Sequence, residues 1–250
     1  HPLVGIRGAA AFWVVLHHIV SQGYFTDFTG AWLPDVVFTL FFHGYLAVDL
    51  FFVLSGFIMC HVYLEMFQHP SGRGFVHFLV LRIGRIYPLH AAILFAYGAI
   101  ALFLLWSGLK EPDPERFGAS CFLQSLALVQ AWGFVDHACF NVVAWSISAE
   151  WFAYLAFPLV AMVFLPIRSP VIGALGAIAS IAILIAVLLA LGFEKPLHAV
   201  TGAGAMARLV GSFVAGCFLY TIYRSGAWSG VAWPMLALLA LAGILAAAFL

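Results

Sequence analysis

The sequence predicts an all-α, polytopic helical membrane protein with about seven to eight transmembrane helices, on three observations. Of its 250 residues 65% are apolar and only 8% charged, with a mean hydropathy of +1.11, whereas a soluble domain carries about 25% charged residues. The apolar residues fall into runs of about 20, the length a helix rising 1.5 Å per residue needs to cross a hydrocarbon layer about 30 Å thick. Between the runs, stretches such as "EMFQHPSGRG" and "KEPDPERFG" collect the Pro, Gly and charge that hydrocarbon rejects.

Hydropathy places spans at 4–23, 36–64, 86–108, 145–166, 170–192, 206–223 and 229–250. Segment 120–134 is shorter than a comfortable span, so a tilted span, a re-entrant piece and an interfacial helix all stay open for it. No repeat or low-complexity segment divides the chain, and residues 1–250 are expected to form one transmembrane domain. The chain opens at His1 without a methionine and stops inside "MLALLALAGILAAAFL", which is read as the loss of further carboxyl-terminal spans. Orientation follows the arginines. Arg73, Arg82 and Arg85 follow the second span, while the next connection offsets Lys110 and Arg116 with three acids. The first of these connections is therefore expected in the cytoplasm, with the amino terminus on the same side of a plasma (inner) membrane.

A formal net charge of zero gives no polyanion-binding signal, so no nucleic-acid partner is expected. Cys60, Cys121, Cys139 and Cys217 lack CxxC spacing and lie in or beside apolar runs, which predicts small packing residues and neither a disulfide framework nor a zinc site. No HExxH, GxSxG or P-loop occurs, and no carboxylate cluster points to a metal.

Polar groups inside apolar runs are the candidates for chemistry, because a charge in hydrocarbon costs from about 2.5 to over 10 kcal/mol and is retained when paired or functional. In "GIRGAAAFWVVLHHIV" Arg7 and His18 are eleven residues apart, which on a helix is about three turns plus 20° and about 16.5 Å of rise, so they share a face. His17 is turned away by about 100° and reads as a packing residue. An anion-binding arginine and a deep titratable base along one line suit a long substrate with a charged head and a reactive tail, although an arginine in a first turn also snorkels to headgroups.

In "FLVLRIGRIYPLH" Arg82 and Arg85 project from one side of a helical turn, a spacing that suits phosphate oxygens and equally a lipid-headgroup anchor. Pro88 fits a kink or the first turn of the next span. Asp49, in "AVDLFFVLSGF", needs a partner, and Arg or His on the first span would serve. In the same stretch Ser55 can bond back to its own helix and Gly56 permits close packing. In "AWSISAEWFAYLAFP" Ser146 is placed as the cap of a helix whose opening turn holds Glu150, where the helix dipole is the bland explanation for an acid. Asp49 and Glu150 are nonetheless the only carboxylates within expected spans, which favours an ion-pairing or catalytic role.

Taken in order, "IRGAAAFWVVLHH", "LAVDLFFVLSGFIM", "LRIGRIYPLH" and "AWSISAEW" resemble the hallmark segments of the acyltransferase-3 family of integral membrane acyltransferases, over residues 4 to 160. Ala47 stands where that family usually has glycine and Ile147 where it has leucine, and the eleven-residue spacing selects His18 over His17. The resemblance implies transfer of an acyl group, commonly acetyl, from cytoplasmic acyl-coenzyme A to a hydroxyl of a carbohydrate or lipid-linked acceptor such as lipopolysaccharide or another polysaccharide. It implies no metal or prosthetic group. By the same resemblance His18 is the essential histidine with Arg7 its companion, Arg82 and Arg85 are the paired arginines, and Glu150 is the helix-start acid; the phosphate-rich end of coenzyme A is a ligand that Arg82, Arg85 and Arg7 could hold.

A neutral buried imidazole at His18 would take the proton of an attacking hydroxyl, or carry the acyl group transiently, with Asp49 or Glu150 orienting the ring. A proton-coupled transporter would use the same residue types and would show inverted repeats, which the sequence lacks. A membrane cytochrome would draw axial ligands from His17, His18, His61 and His90.

Overall fold

The computed structural model describes residues 2–21, 34–69, 71–193, 197 and 201–226, and among them every regular element is a helix. In chain order these are α1 (Pro2–Ser21), α2 (Asp35–Phe42), α3 (Leu46–Tyr63), α4 (Gly72–Ser107), α5 (Ala119–Leu126), α6 (Trp145–Phe164), α7 (Pro170–Ala190) and α8 (Gly202–Arg224). Short 3-10 turns at His43–Tyr45, Leu64–Phe67 and Val142–Ala144 join or introduce them. Among the described residues, six segments are long and apolar enough to cross a membrane, α2 and α3 counting as one with their turns. The expected span 229–250 lies outside the described residues.

Two boundaries differ from expectation. The third span begins at Gly72, so the paired arginines lie within one 36-residue helix instead of in a connection before it. Ser71 caps that helix, its Oγ accepting the Gly74 N–H at 3.1 Å, and Gly108 ends it at φ 65°, the left-handed conformation glycine adopts without cost. Pro88 sits in the helix interior. Segment 120–134 resolves into the eight-residue α5 followed by turns, too short to span.

Chain contacts gather into two units, His1–Met59 with Ile167–Ser180 and Ser212–Leu250, and Cys60–Pro166 with Ile181–Gly211. In the first, α1 lies on α2 and its turn. Trp13 Nε1 donates to the Leu40 carbonyl at 2.7 Å, and His17 Nδ1 bonds the Phe42 carbonyl at 2.5 Å. Gly44 faces the Trp13 backbone with no room for a Cβ. In the same unit α3 and α8 approach through glycines: a Cβ on Gly56 would strike the Phe213 carbonyl, and one on Gly216 the Val53 carbonyl. Small residues facing carbonyls are how membrane helices gain close van der Waals contact.

In the second unit an aromatic cluster of Tyr63, Phe67, Phe78, Tyr154 and Phe157 joins α4 to α6. Beyond α4, Cys121 and Cys139 are joined by a disulfide, which corrects the expectation that both are lone packing residues. CxxC spacing reports only local pairs, whereas here the chain after α5 turns back and brings together residues 18 apart, with Cα atoms at 5.2 Å. Cys60 and Cys217 form no disulfide and are buried, as packing residues would be.

Candidate functional site

In the second unit, α4 sets Phe78 and Arg82 four residues apart on one face, and α6 does the same with Glu150 and Tyr154. Arg82 is half-buried: its Nη2 donates to the Tyr63 hydroxyl at 2.6 Å, and its guanidinium carbon lies 4.9 Å from the Tyr63 ring centroid and 5.9 Å from that of Tyr154. Its Nε is buried without a hydrogen-bond partner. The Tyr154 hydroxyl is hydrogen-bonded to Glu150, and Arg82 and Arg85 both act electrostatically on Tyr154. Arg85, one turn on, is exposed. The fold thus brings together three residues singled out from sequence, Arg82, Arg85 and Glu150, and adds two tyrosines.

The start of α6 differs from expectation. Ala144, not Ser146, occupies the cap position; Ser146 Oγ donates back to the Val143 carbonyl at 3.3 Å. The helix begins at Trp145, so Glu150 falls beyond the first turn and the dipole does not account for it. The serine that does organise this helix start is Ser148, which is fully buried. Its Oγ donates to the Leu128 carbonyl at 2.9 Å and accepts the Ala131 N–H at 3.1 Å, while its own carbonyl accepts Trp132 Nε1 at 3.0 Å.

On α4, Tyr87 and His90 reach the end of α5: the Tyr87 hydroxyl donates to the Leu126 carbonyl at 2.9 Å, and His90 Nε2 to the Ser125 carbonyl at 2.8 Å. A carbonyl only accepts, so Nε2 carries the ring proton. On α8, Arg208 is 1% exposed and stacks on the Trp145 ring at 4.9 Å. It was not anticipated from sequence, although an arginine inside a predicted span is itself the signal that finds it.

In the first unit α1 is continuous through Arg7 and His18, as their eleven-residue spacing requires for a shared face. Arg7 is half-buried and His18 exposed among the described residues. The His17 ring packs between the His18 ring, at 5.4 Å, and Tyr45, at 5.6 Å, with its Nδ1 on the Phe42 carbonyl, a contact that holds α1 to α2. Asp49 accepts a 3.2 Å hydrogen bond from Ser212 of α8.

Among the described residues, one group of side chains has the composition of a metal site: Cys121, His137 and Cys139 present ligand atoms within 4.8 Å of one another. With the two sulfurs bonded to each other, neither is the thiolate a metal needs. His137 Nε2 stands 3.6 Å from the Cys121 sulfur, with Nδ1 3.2 Å from the exposed Asp136 carboxylate.

Comparison with known proteins agrees with the four hallmark segments. The family model described as an acyltransferase domain matches residues 3–250. Acyltransferase MdmB of Streptomyces mycarofaciens is 32% identical over 166 residues, covering 63% of this chain and 38% of that protein. Protein 2 in picA locus of Rhizobium radiobacter is 36% identical over 111 residues, covering 44% of this chain and 50% of that protein. The chain thus spans half or less of the length of these curated relatives. No solved structure matches it. With the family model covering nearly every residue, and with the motif arginines, histidine and acid carried on the membrane helices described above, the chain belongs to the acyltransferase-3 family of integral membrane proteins.

Proposed function

We propose that the protein transfers an acyl group, acetyl first among them, from acyl-coenzyme A to a hydroxyl of a carbohydrate or lipid-linked glycan. The observation that carries this reading is the Arg82–Arg85 pair on α4, with Arg82 held between two tyrosines and a buried Nε left without a protein partner. A lipid-anchoring arginine has no need of such a hold, whereas recognition of the coenzyme's phosphates by a guanidinium fork does.

In the reaction, His18 takes the proton of the acceptor hydroxyl as its oxygen attacks the thioester carbonyl. The carbon–sulfur bond then breaks and the coenzyme thiolate leaves, taking up a proton. Arg7 on the same helix face would hold negative charge on the donor, and Asp49, carried with Ser212, is available to orient polar groups in its unit. Loss of a general base removes about 10²–10⁴-fold in rate. With labelled acetyl-coenzyme A and extracted cell-envelope glycans, His18→Ala should therefore lose at least a hundredfold in labelling while still inserting and folding; an intact rate overturns its role.

We also infer that the protein is a multi-pass protein of the plasma (inner) membrane with its amino terminus in the cytoplasm. Two features support this orientation independently. Arg73, Arg82 and Arg85 occupy the first half of α4, as the positive-inside rule asks of the cytoplasmic end. The Cys121–Cys139 disulfide packs on Leu94 and Tyr97 in its second half, and disulfides persist on the oxidising side of the membrane.

A further inference from the structure

Arg82, Tyr63, Tyr154 and Glu150 form a chain of contacts that runs from the arginine through a tyrosine to the acid. Tyr63, at the end of α3, accepts from Arg82 Nη2 and lies against its guanidinium face. Tyr154 approaches the guanidinium at 5.9 Å, is 2% exposed, and has its hydroxyl bonded to Glu150 one turn earlier on α6. Both rings pack on Phe78, which is fully buried, at 5.0 and 6.4 Å between centroids. A long arginine side chain normally loses considerable rotamer freedom when it binds an anion. Here two rings and a hydroxyl restrict that freedom beforehand.

We propose that Tyr63 and Tyr154 are positioning residues that cradle Arg82 for one phosphate of the acyl donor, and that Glu150 acts through Tyr154 and is not the base of the reaction. This rests on the reading of Arg82 as a donor-binding residue. Nothing in it calls on Glu150 to exchange a proton with substrate. The carboxylate fixes the Tyr154 hydroxyl, the ring fixes one side of the guanidinium, and the Tyr63 hydroxyl fixes the other.

The test is steady-state kinetics of the whole protein in lipid nanodiscs with acetyl-coenzyme A as the varied substrate. Removing a hydrogen bond to a charged group is worth about tenfold in affinity. Tyr63→Phe, Tyr154→Phe and Glu150→Ala should thus each raise KM about tenfold and move kcat far less, with Glu150→Gln restoring most of the loss because its amide oxygen still accepts from Tyr154. The pH–rate profile should keep both limbs in Glu150→Gln. The Glu150→Ala, Tyr154→Phe double variant should be no worse than the poorer single variant, as expected for residues acting in series.

A Glu150→Gln enzyme that loses a pH limb and a hundredfold in kcat makes Glu150 a catalytic base and overturns the proposal, as does an additive double variant. If Arg82→Ala raises KM but the tyrosine variants do not, the cradle alone is wrong. If Arg82→Ala leaves KM unchanged, the donor-site reading beneath it fails. The Tyr63→Phe, Tyr154→Phe and Glu150→Gln variants keep size and packing, so the cradle is tested on folded protein even where an Ala variant fails to fold.

Discussion

Leu128 and Phe140 have φ of 58° and 36°, a left-handed backbone that side chains other than glycine rarely accept, and both are buried. Each is held by a polar side chain on its own carbonyl. Ser148 Oγ donates to Leu128, and Arg116 donates to Phe140 through Nε at 3.0 Å and Nη2 at 2.7 Å. Such conformations persist where the surroundings over-determine them. Ser148→Ala would leave the Leu128 carbonyl and the Ala131 N–H without this partner, and an unsatisfied buried group costs about 1–3 kcal/mol. The expected result is a destabilisation of that order in thermal unfolding of the purified protein, with Ser146→Ala close to neutral. The sequence alone favours Ser146 as the structural serine, because a cap is read from the position of a helix start and that start lies elsewhere.

At the scale of the helix, the glycines of α3 and α8 set how near two backbones can come. Gly56 was legible as a packing glycine in "VLSGF"; its counterpart Gly216 acquires meaning only when Val53 is seen against it. Since each faces a backbone carbonyl and not a yielding side chain, Gly56→Val or Gly216→Val forces the helices apart. An overpacked contact costs about 1–3 kcal/mol or more. Folded yield in detergent, followed by size-exclusion chromatography, should fall sharply for either variant, whereas Gly5→Val, with open space around it, should not change it. Helix α4 shows why its start was misplaced from hydropathy: the charged positions 73, 82 and 85 depress a running average, yet a Ser71 cap and an unbroken backbone carry the helix through them.

Across the whole molecule, exposed apolar side chains such as Leu102, Trp106, Leu175 and Ile178 give α4 and α7 surfaces suited to hydrocarbon. For the proposed orientation, α4 runs outward from a cytoplasmic amino end, and at 36 residues it is about 54 Å long, more than a bilayer core requires. The exposed positions at its two approaches report the sidedness. In a Cys60→Ser, Cys217→Ser background, Asp113→Cys should react with a membrane-impermeant maleimide added to intact cells, and Arg73→Cys should react only in inside-out vesicles. The reverse pattern overturns the orientation. Separately, Cys121→Ser with Cys139→Ser should cost about 3 kcal/mol, the chain-entropy value for a closed loop of nearly 20 residues, seen as a lower unfolding temperature.

Composition and the length of the apolar runs by themselves determined the class of this protein and most of its spans, because a helix in hydrocarbon must satisfy its backbone internally and leaves that demand written in local hydropathy. Residue spacing likewise marked Arg7, His18, Arg82 and Arg85, and the scarcity of carboxylates in the apolar runs marked Glu150. Only the tertiary structure decided that Cys121 meets Cys139, that Ser212 donates to Asp49, and that two tyrosines nearly a hundred residues apart close on one arginine. These are contacts between segments distant along the chain, set by packing and loop closure, and no local pattern of residues encodes which distant partner will arrive.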